Sequence, residues 1–284
     1  MTSDDQVWIQ LDLEAPLDEY ESLVALLMEF ETCGFQEERG PDAVALSAFF
    51  PGELSGRFQE RFESALRCRG MSAGARTSEL RVDPDVWIRQ CRNRFKGFSI
   101  GKTFYVHPGW ERQAPGYRVT LLMEPGNAFG TGTHESTQLA LRHLEAVAER
   151  ASSILDIGTG SGILAMAAAK LNPAASIVAL DVDEQATTAA ATNFRRNGVS
   201  GIQLLAGGPA ALRSQWDLVL ANLTLAILAD LAEEIGRVTG NLLVVSGFVS
   251  EQSDRVLDHF RERGFRLKRE RRQGGWASLL LHRM

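Results

Sequence analysis

Two rhythms of hydrophobic positions divide the chain. Near the start, Trp8-Ile9-Gln10-Leu11-Asp12-Leu13 alternates with period two, as a half-buried strand does. Tyr20, Leu23, Leu27 and Phe30 then recur at three- and four-residue steps, which places them on one helix face, and Gly34 follows as a stop. Val44 to Phe49 is a second apolar run, closed by Pro51-Gly52. Leu54, Phe58, Phe62 and Leu66 repeat every four residues and predict another amphipathic helix, and Arg76 to Val82 is a weaker strand. Strand, helix, a pair of strands, helix, strand predicts a small ferredoxin-like α+β domain over residues 1–82.

From about residue 150 the rhythm changes to short apolar strands alternating with helical runs, the signature of a parallel sheet covered on both faces. The strands fall at Ser153–Ile157, Ser176–Leu180, Ile202–Leu205, Asp217–Ala221 and Leu242–Ser246. Phe265–Arg272 and Ala277–His282, parted by Gln273-Gly274-Gly275, close the chain as an antiparallel hairpin. This is an open, doubly wound α/β fold, over residues 124–284. Residues 83–123 hold Trp87, Phe95, Lys96, Trp110 and Arg112, with turns at Pro108-Gly109 and Pro115-Gly116. They read as a linker, a hinge or the front edge of the second domain.

A length of 284 residues suits two domains, and 44% hydrophobic with 23% charged residues excludes disorder and coiled coil. No run approaches the roughly 18 apolar residues of a membrane span, and Met1-Thr2-Ser3-Asp4-Asp5 lacks the apolar core of a secretory signal. Cys33, Cys68 and Cys91 are odd in number and far apart, which predicts neither disulfides nor a metal site and points to the cytoplasm. Charge is uneven. Residues 1–80 carry 16 acidic residues against 6 Arg and no Lys, a balance of −10, and the remainder carries +4. An acidic first third repels phosphate and favours a basic protein partner, unless it is only a solvated surface. The expected partners therefore include neither membrane nor nucleic acid, and the chain is expected to be a monomer.

The strongest chemical signal is Asp156-Ile157-Gly158-Thr159-Gly160-Ser161-Gly162, directly after a strand and opening a helix. Gly158 and Gly160 let the backbone turn tightly against a ligand. A dinucleotide fingerprint would place its last glycine at Ile163, which argues against a nicotinamide dehydrogenase. The spacing after an acid suits S-adenosylmethionine, with Asp156 addressing the methionine ammonium directly or through water. Asp181 follows the second strand and can accept bonds from both ribose hydroxyls, while Asp183 caps the next helix. Ala206-Gly207-Gly208 offers adenine no obvious polar side chain. Asn222 ends the fourth strand, where its amide oxygen can accept from a substrate amine and aim its lone pair along the methyl–sulfur axis; a helix cap is the plainer alternative. No Pro-Pro-aromatic stretch follows Asn222, which disfavours a flipped base as substrate. Before the core lies a loop of Gly126, Gly130 and Gly132 with interleaved Phe and Thr, able to fold over the donor with Phe129 on an apolar face and Thr137 at its amino-acid end, although the pattern by itself equally suits an ordinary turn. His134 has no companion at metal-ligand spacing, which leaves it a polar or proton-transfer role.

Together Glu-Pro-Gly-Asn-Ala-Phe-Gly-Thr-Gly-Thr-His at 124–134, Asp-Ile-Gly-Thr-Gly-Ser-Gly-Ile-Leu at 156–164, Ala-Asn-Leu at 221–223, Ser246-Gly247-Phe248 and Trp276 resemble the bacterial ribosomal protein L-11 (L11) methyltransferase family. The resemblance implies a Rossmann-like class I methyltransferase domain, a mixed seven-stranded sheet, behind a ferredoxin-like domain that grips the protein substrate. It implies transfer from S-adenosyl-L-methionine, leaving S-adenosyl-L-homocysteine, to lysine ε-amines and the N-terminal α-amine of ribosomal protein L-11. It implies cofactor contact by Thr137, Gly158, Asp181 and Asn222, with Asn222 also beside the accepting amine. The chain departs from the family at Glu124 (usually Asp), Asn127 (apolar), Cys91 (Trp) and Gly97 (Pro). Those departures keep open a different basic protein, or a small amine, as acceptor.

Overall fold

The structure, a computed structural model, describes residues 6–30, 32, 34–40, 43–51, 56–72, 74–82, 96–109, 116–123 and 132–284. Cys91, Glu124, Asn127 and Phe129 lie outside the described residues, as do Leu54, Trp87, Phe95, Trp110 and Arg112. The chain divides into two compact units between residues 95 and 96.

The first unit contains β1 (Gln6–Pro16), α1 (Tyr20–Glu29), β2 (Gly34–Arg39), β3 (Ala43–Pro51), α2 (Gly56–Cys68) and β4 (Gly74–Val82). Its sheet order is β2-β3-β1-β4, antiparallel throughout, which is the ferredoxin-like arrangement. Period-two alternation sends Ile9, Leu11 and Leu13 into a core with Leu23, Leu26 and Leu27 of α1 and Phe62 and Leu66 of α2. Phe30, Phe58 and Phe62 meet edge-on or stacked within that core.

The second unit opens with a three-stranded sheet of β5 (Phe98–Ile100), β6 (Phe104–His107) and β7 (Val119–Leu122). Ile100, Phe104, Val106, Val119 and Leu121 put its inner face into the same core as the following helices, so β5, β6 and β7 are built into this unit. Next come α3 (Glu135–Val147), β8 (Ser153–Ile157), α4 (Ile163–Leu171), β9 (Ser176–Asp181), α5 (Glu184–Arg196), β10 (Ile202–Ala206) and β11 (Trp216–Asn222). The unit ends with α6 (Leu225–Asp230), α7 (Ala232–Val238), β12 (Thr239–Val249), α8 (Ser253–Arg261), β13 (Phe265–Gln273) and β14 (Trp276–Arg283).

The large sheet runs β10-β9-β8-β11-β12-β14-β13, parallel except for β14. Apolar side chains of the strands face two separate cores, one under α3, α4 and α5, the other under α7 and α8. That two-sided burial is why the strands read as nearly continuous apolar runs. His143 of α3 is fully buried beside Ser278 O at 3.2 Å, and burial holds its pKa down at about 4, so it stays neutral. Among the described residues no helix is long and apolar enough to cross a membrane.

Candidate active site

The strand order reverses between β8 and β11, and in open sheets of this kind ligands bind beyond the carboxyl ends of the strands at such a point. Register brings the expected side chains there: Leu220 and Ala221 pair with Asp156 and Ile157, Ile157 pairs with Leu180, and Asn222 pairs with Ser246. Asp156, Asp181, Asn222 and Ser246 therefore sit at one end of four adjacent parallel strands.

The turn after β8 is left-handed at Gly158 and Gly160, with φ of 68° and 53°. A Cβ on Gly158 would lie 2.4 Å from Leu223 Cδ2, so the turn is closed to any side chain there. Backbone bonds of 2.9 and 3.0 Å from Gly158 N and Thr159 N to Leu180 O tie the turn to β9. Asp156 is buried. Its Oδ2 accepts from Thr159 Oγ1 at 2.6 Å and from Ala165 N at 3.2 Å, whereas its Oδ1 is buried with no hydrogen-bond partner. Burial pushes its pKa up to about 6, opposed by those two bonds and aided by the negative charge of Asp181.

Asp181 accepts from Gly160 N at 2.9 Å and from Asp183 N at 3.1 Å, one bond per oxygen, which leaves each oxygen a lone pair for a further donor. Asp183 caps α5 through Gln185 N at 2.8 Å, as the sequence predicts. Gly207 N is taken by Asp181 O at 2.7 Å, so it joins β10 to β9.

Asn222 turns Nδ2 to Thr137 Oγ1 at 3.2 Å, and its Oδ1 is buried without a partner. Thr137 is held in place because Ser246 Oγ donates to Ser136 O at 2.8 Å, fastening the first turn of α3 to β12. His134 is the N-cap of α3: its Nδ1 accepts from Ser136 N at 3.3 Å, and its ring meets Trp276 edge-on at 4.4 Å. The helix-cap reading suggested for Asn222 does not hold, since α6 is preceded by Thr224 instead.

Thr137, Asp156, Gly158, Gly160, Asp181 and Asn222 are thus gathered at one sheet end. Phe129 lies outside the described residues. Three features escape a reading of the residues alone. Val182, 80% exposed between two acids, presents an apolar face just past the end of β9; an apolar residue just past a strand end was the available signal. Ser246 and the His134–Trp276 pair act across more than a hundred residues, and no local pattern announces such pairings.

These features fit S-adenosyl-L-methionine: two acids at the ends of adjacent strands, a turn closed to any side chain at Gly158, an exposed apolar residue and two buried oxygens lacking donors. With the seventh strand inserted antiparallel between the fifth and sixth, they define a Rossmann-like class I methyltransferase that uses this donor. The model of the ribosomal protein L11 methyltransferase (PrmA) family matches residues 8–284, and the chain belongs to that family. It is 33% identical over 204 residues to the ribosomal protein L11 methyltransferase of Desulforamulus reducens, a match covering 70% of this chain and 66% of the relative. The Clostridium perfringens (strain SM101) protein is 29% identical over 264 residues, 90% of this chain and 84% of the relative. The crystal structure of ribosomal protein L11 methylase from Lactobacillus delbrueckii subsp. bulgaricus superposes with a TM-score of 0.62 at 30% identity. It covers 66% of this chain and 99% of that one.

Proposed function

We propose that this chain works in the cytoplasm and transfers methyl groups from S-adenosyl-L-methionine to lysine ε-amines and the N-terminal α-amine of ribosomal protein L11. The observation that carries the reading is the buried, partnerless Oδ1 of Asn222 at the end of β11. When bound, the donor supplies an electrophilic methyl on a sulfonium. Asn222 Oδ1 accepts a hydrogen bond from the incoming amine and orients its lone pair, while Thr137 fixes the amide. A lysine amine, with a reference pKa of about 10.4, must lose a proton before attack; a desolvated site beside a positive charge lowers that pKa. The N–C bond forms as the C–S bond breaks, and the proton leaves to solvent. Residues 1–82, whose negative balance exceeds that of the whole chain, dock the basic protein.

Incubation with purified, unmodified L11 and labelled donor is expected to add whole methyl masses to the intact protein. Donor binding without any transfer would leave the donor assignment standing and overturn L11 as acceptor, pointing to another basic protein or a small amine.

The Asp156 carboxyl gives a second expectation. In the free protein it takes up a proton as pH falls through about 6, whereas a donor ammonium beside it requires the carboxylate. Donor affinity is therefore expected to be flat above pH 7 and to weaken towards tenfold per unit below about 6. Titration calorimetry with Asp156→Asn should show weaker binding and no such slope. An unchanged affinity in the parent protein between pH 7 and 5 would mean that Asp156 does not face the ammonium.

A further inference from the structure

β13 is the outermost strand of the large sheet and pairs on one side only. Its nine residues, Phe-Arg-Leu-Lys-Arg-Glu-Arg-Arg-Gln, carry five cations and one acid. That surplus of four equals the entire positive balance of the chain beyond residue 80. Register with β14 sorts these charges by face, with a bulge between Leu267 and Arg269 that leaves Lys268 as the extra residue. Leu267, Glu270 and Arg272 pair with Leu281, Leu279 and Ala277, whose core lies under α8. Arg272 is satisfied on that side, 2.8 Å from Glu270 and within the field of Asp254 and Glu251.

Arg266, Arg269 and Arg271 pair with His282, Leu280 and Ser278 and belong to the opposite face, the one α3 covers through His143 and through Gln138, which accepts from Gln273 at 2.8 Å. Arg142 of α3 stands close enough that its charge and that of Arg269, after burial, hold the Arg271 guanidinium below its ordinary pKa, with Glu145 opposing them. Arg142, Arg266, Lys268, Arg269 and Arg271 form no ion pair among the described residues, and the Nε atoms of Arg142 and Arg271 are buried without partners. Like charges are gathered here with only Glu145 in their field and none of them ion-paired, a costly arrangement for a chain whose net charge is −6.

We infer that the α3-side edge of β13 is a docking strip for an RNA phosphate backbone. Guanidinium forks match phosphate oxygens two at a time, and a row of them along a strand suits a polyanion better than a single small anion. Strand addition by an acidic peptide is opposed by the bulge at Lys268, which interrupts the free ladder edge. An apolar anchor is absent too: Leu267, 40% exposed, faces the other way. The strip begins at Gln273, next to the Gly274-Gly275 turn and the Trp276–His134 contact, so a bound RNA would run away from the reaction site. The acidic balance of residues 1–80, which alone disfavours nucleic acid, does not describe this edge. The inference is independent of which protein accepts the methyl group.

Fluorescence anisotropy of the full chain with a fluorescein-labelled RNA hairpin tests it. Binding is expected at low salt, with log K falling against log salt with a slope of about −3 to −4, as three or four neutralised phosphates of a duplex require. Charge reversal at three exposed positions, R266E/K268E/R269E, is expected to weaken RNA at least tenfold while melting temperature and methyl transfer to L11 stay unchanged. Arg142→Gln, on a different element, should weaken the same binding less. Undiminished RNA affinity in the triple variant, salt-insensitive or absent binding by the parent, or tighter binding of a labelled polyglutamate peptide than of the hairpin would each overturn the proposal.

Discussion

Replacing Asn222 by alanine is expected to slow methyl transfer by roughly 30- to 1000-fold, about 2–4 kcal/mol of transition-state stabilisation. The reason is positional. Asn222 ends a strand locked between β8 and β12, and its Nδ2 is occupied by Thr137, so Oδ1 is presented in one orientation and needs no reorganisation when the amine arrives. The fold should tolerate the change, because the oxygen removed has no partner in the free protein and the amide nitrogen gives up one side-chain bond, to Thr137. Donor affinity should fall far less than turnover, which separates a role in orienting the acceptor from one in holding the donor. Single-turnover rates alongside donor titration would measure both, and transfer at the parent rate would remove Asn222 from the mechanism. Thr137→Val, which leaves the amide free to rotate, is expected to give a weaker form of the same defect.

Gly247→Ala is expected to be the most damaging single methyl in the second unit. Gly247 lies in the irregularity between Ser246 and Phe248 with φ of 95°, and a Cβ there would fall 2.5 Å from Leu223 O and 2.9 Å from Leu223 N. These are backbone atoms, so no rotamer change relieves the clash. Leu223 N is itself bonded to Ser246 O at 2.9 Å. Left-handed strain plus overpacking comes to about 2–5 kcal/mol, and the displaced backbone is the one that carries Asn222. Calorimetry should show the melting temperature of this unit lowered by roughly 5–15 °C, with activity reduced in the folded fraction. Gly264→Ala is the control: φ is 83° but nothing lies within 4 Å, so only the strain of about 1 kcal/mol applies. Equal effects at the two positions would show that conformational strain, and not the close approach of β11 and β12, decides the outcome.

The sequence by itself determined most of the elements, though not the short strands β5 to β7, and it placed the carboxyl ends of β8 to β11 to within one residue. Period-two alternation in β1, four-residue spacing in α2 and apolar runs closed by Gly or Asp in β8, β9 and β10 are local properties, and a local pattern is enough to read them. Because parallel strands set their carboxyl ends together, naming Asp156, Asp181 and Asn222 as strand-terminal residues nearly named a site. Only the tertiary structure decided what each atom has left to offer. That Asp156 and Asn222 each keep one oxygen without a donor depends on Thr159, Ala165 and Thr137 having taken the other polar positions, and on Ser246 reaching Ser136 across 110 residues. The basic residues of β13 are plain in the sequence, but a strand that alternates without interruption would have split them differently. The bulge at Lys268 shifts the alternation by one residue and puts Arg266, Arg269 and Arg271 on one face. A one-residue shift exchanges the faces of every residue beyond it, and that register is set by pairing with β14.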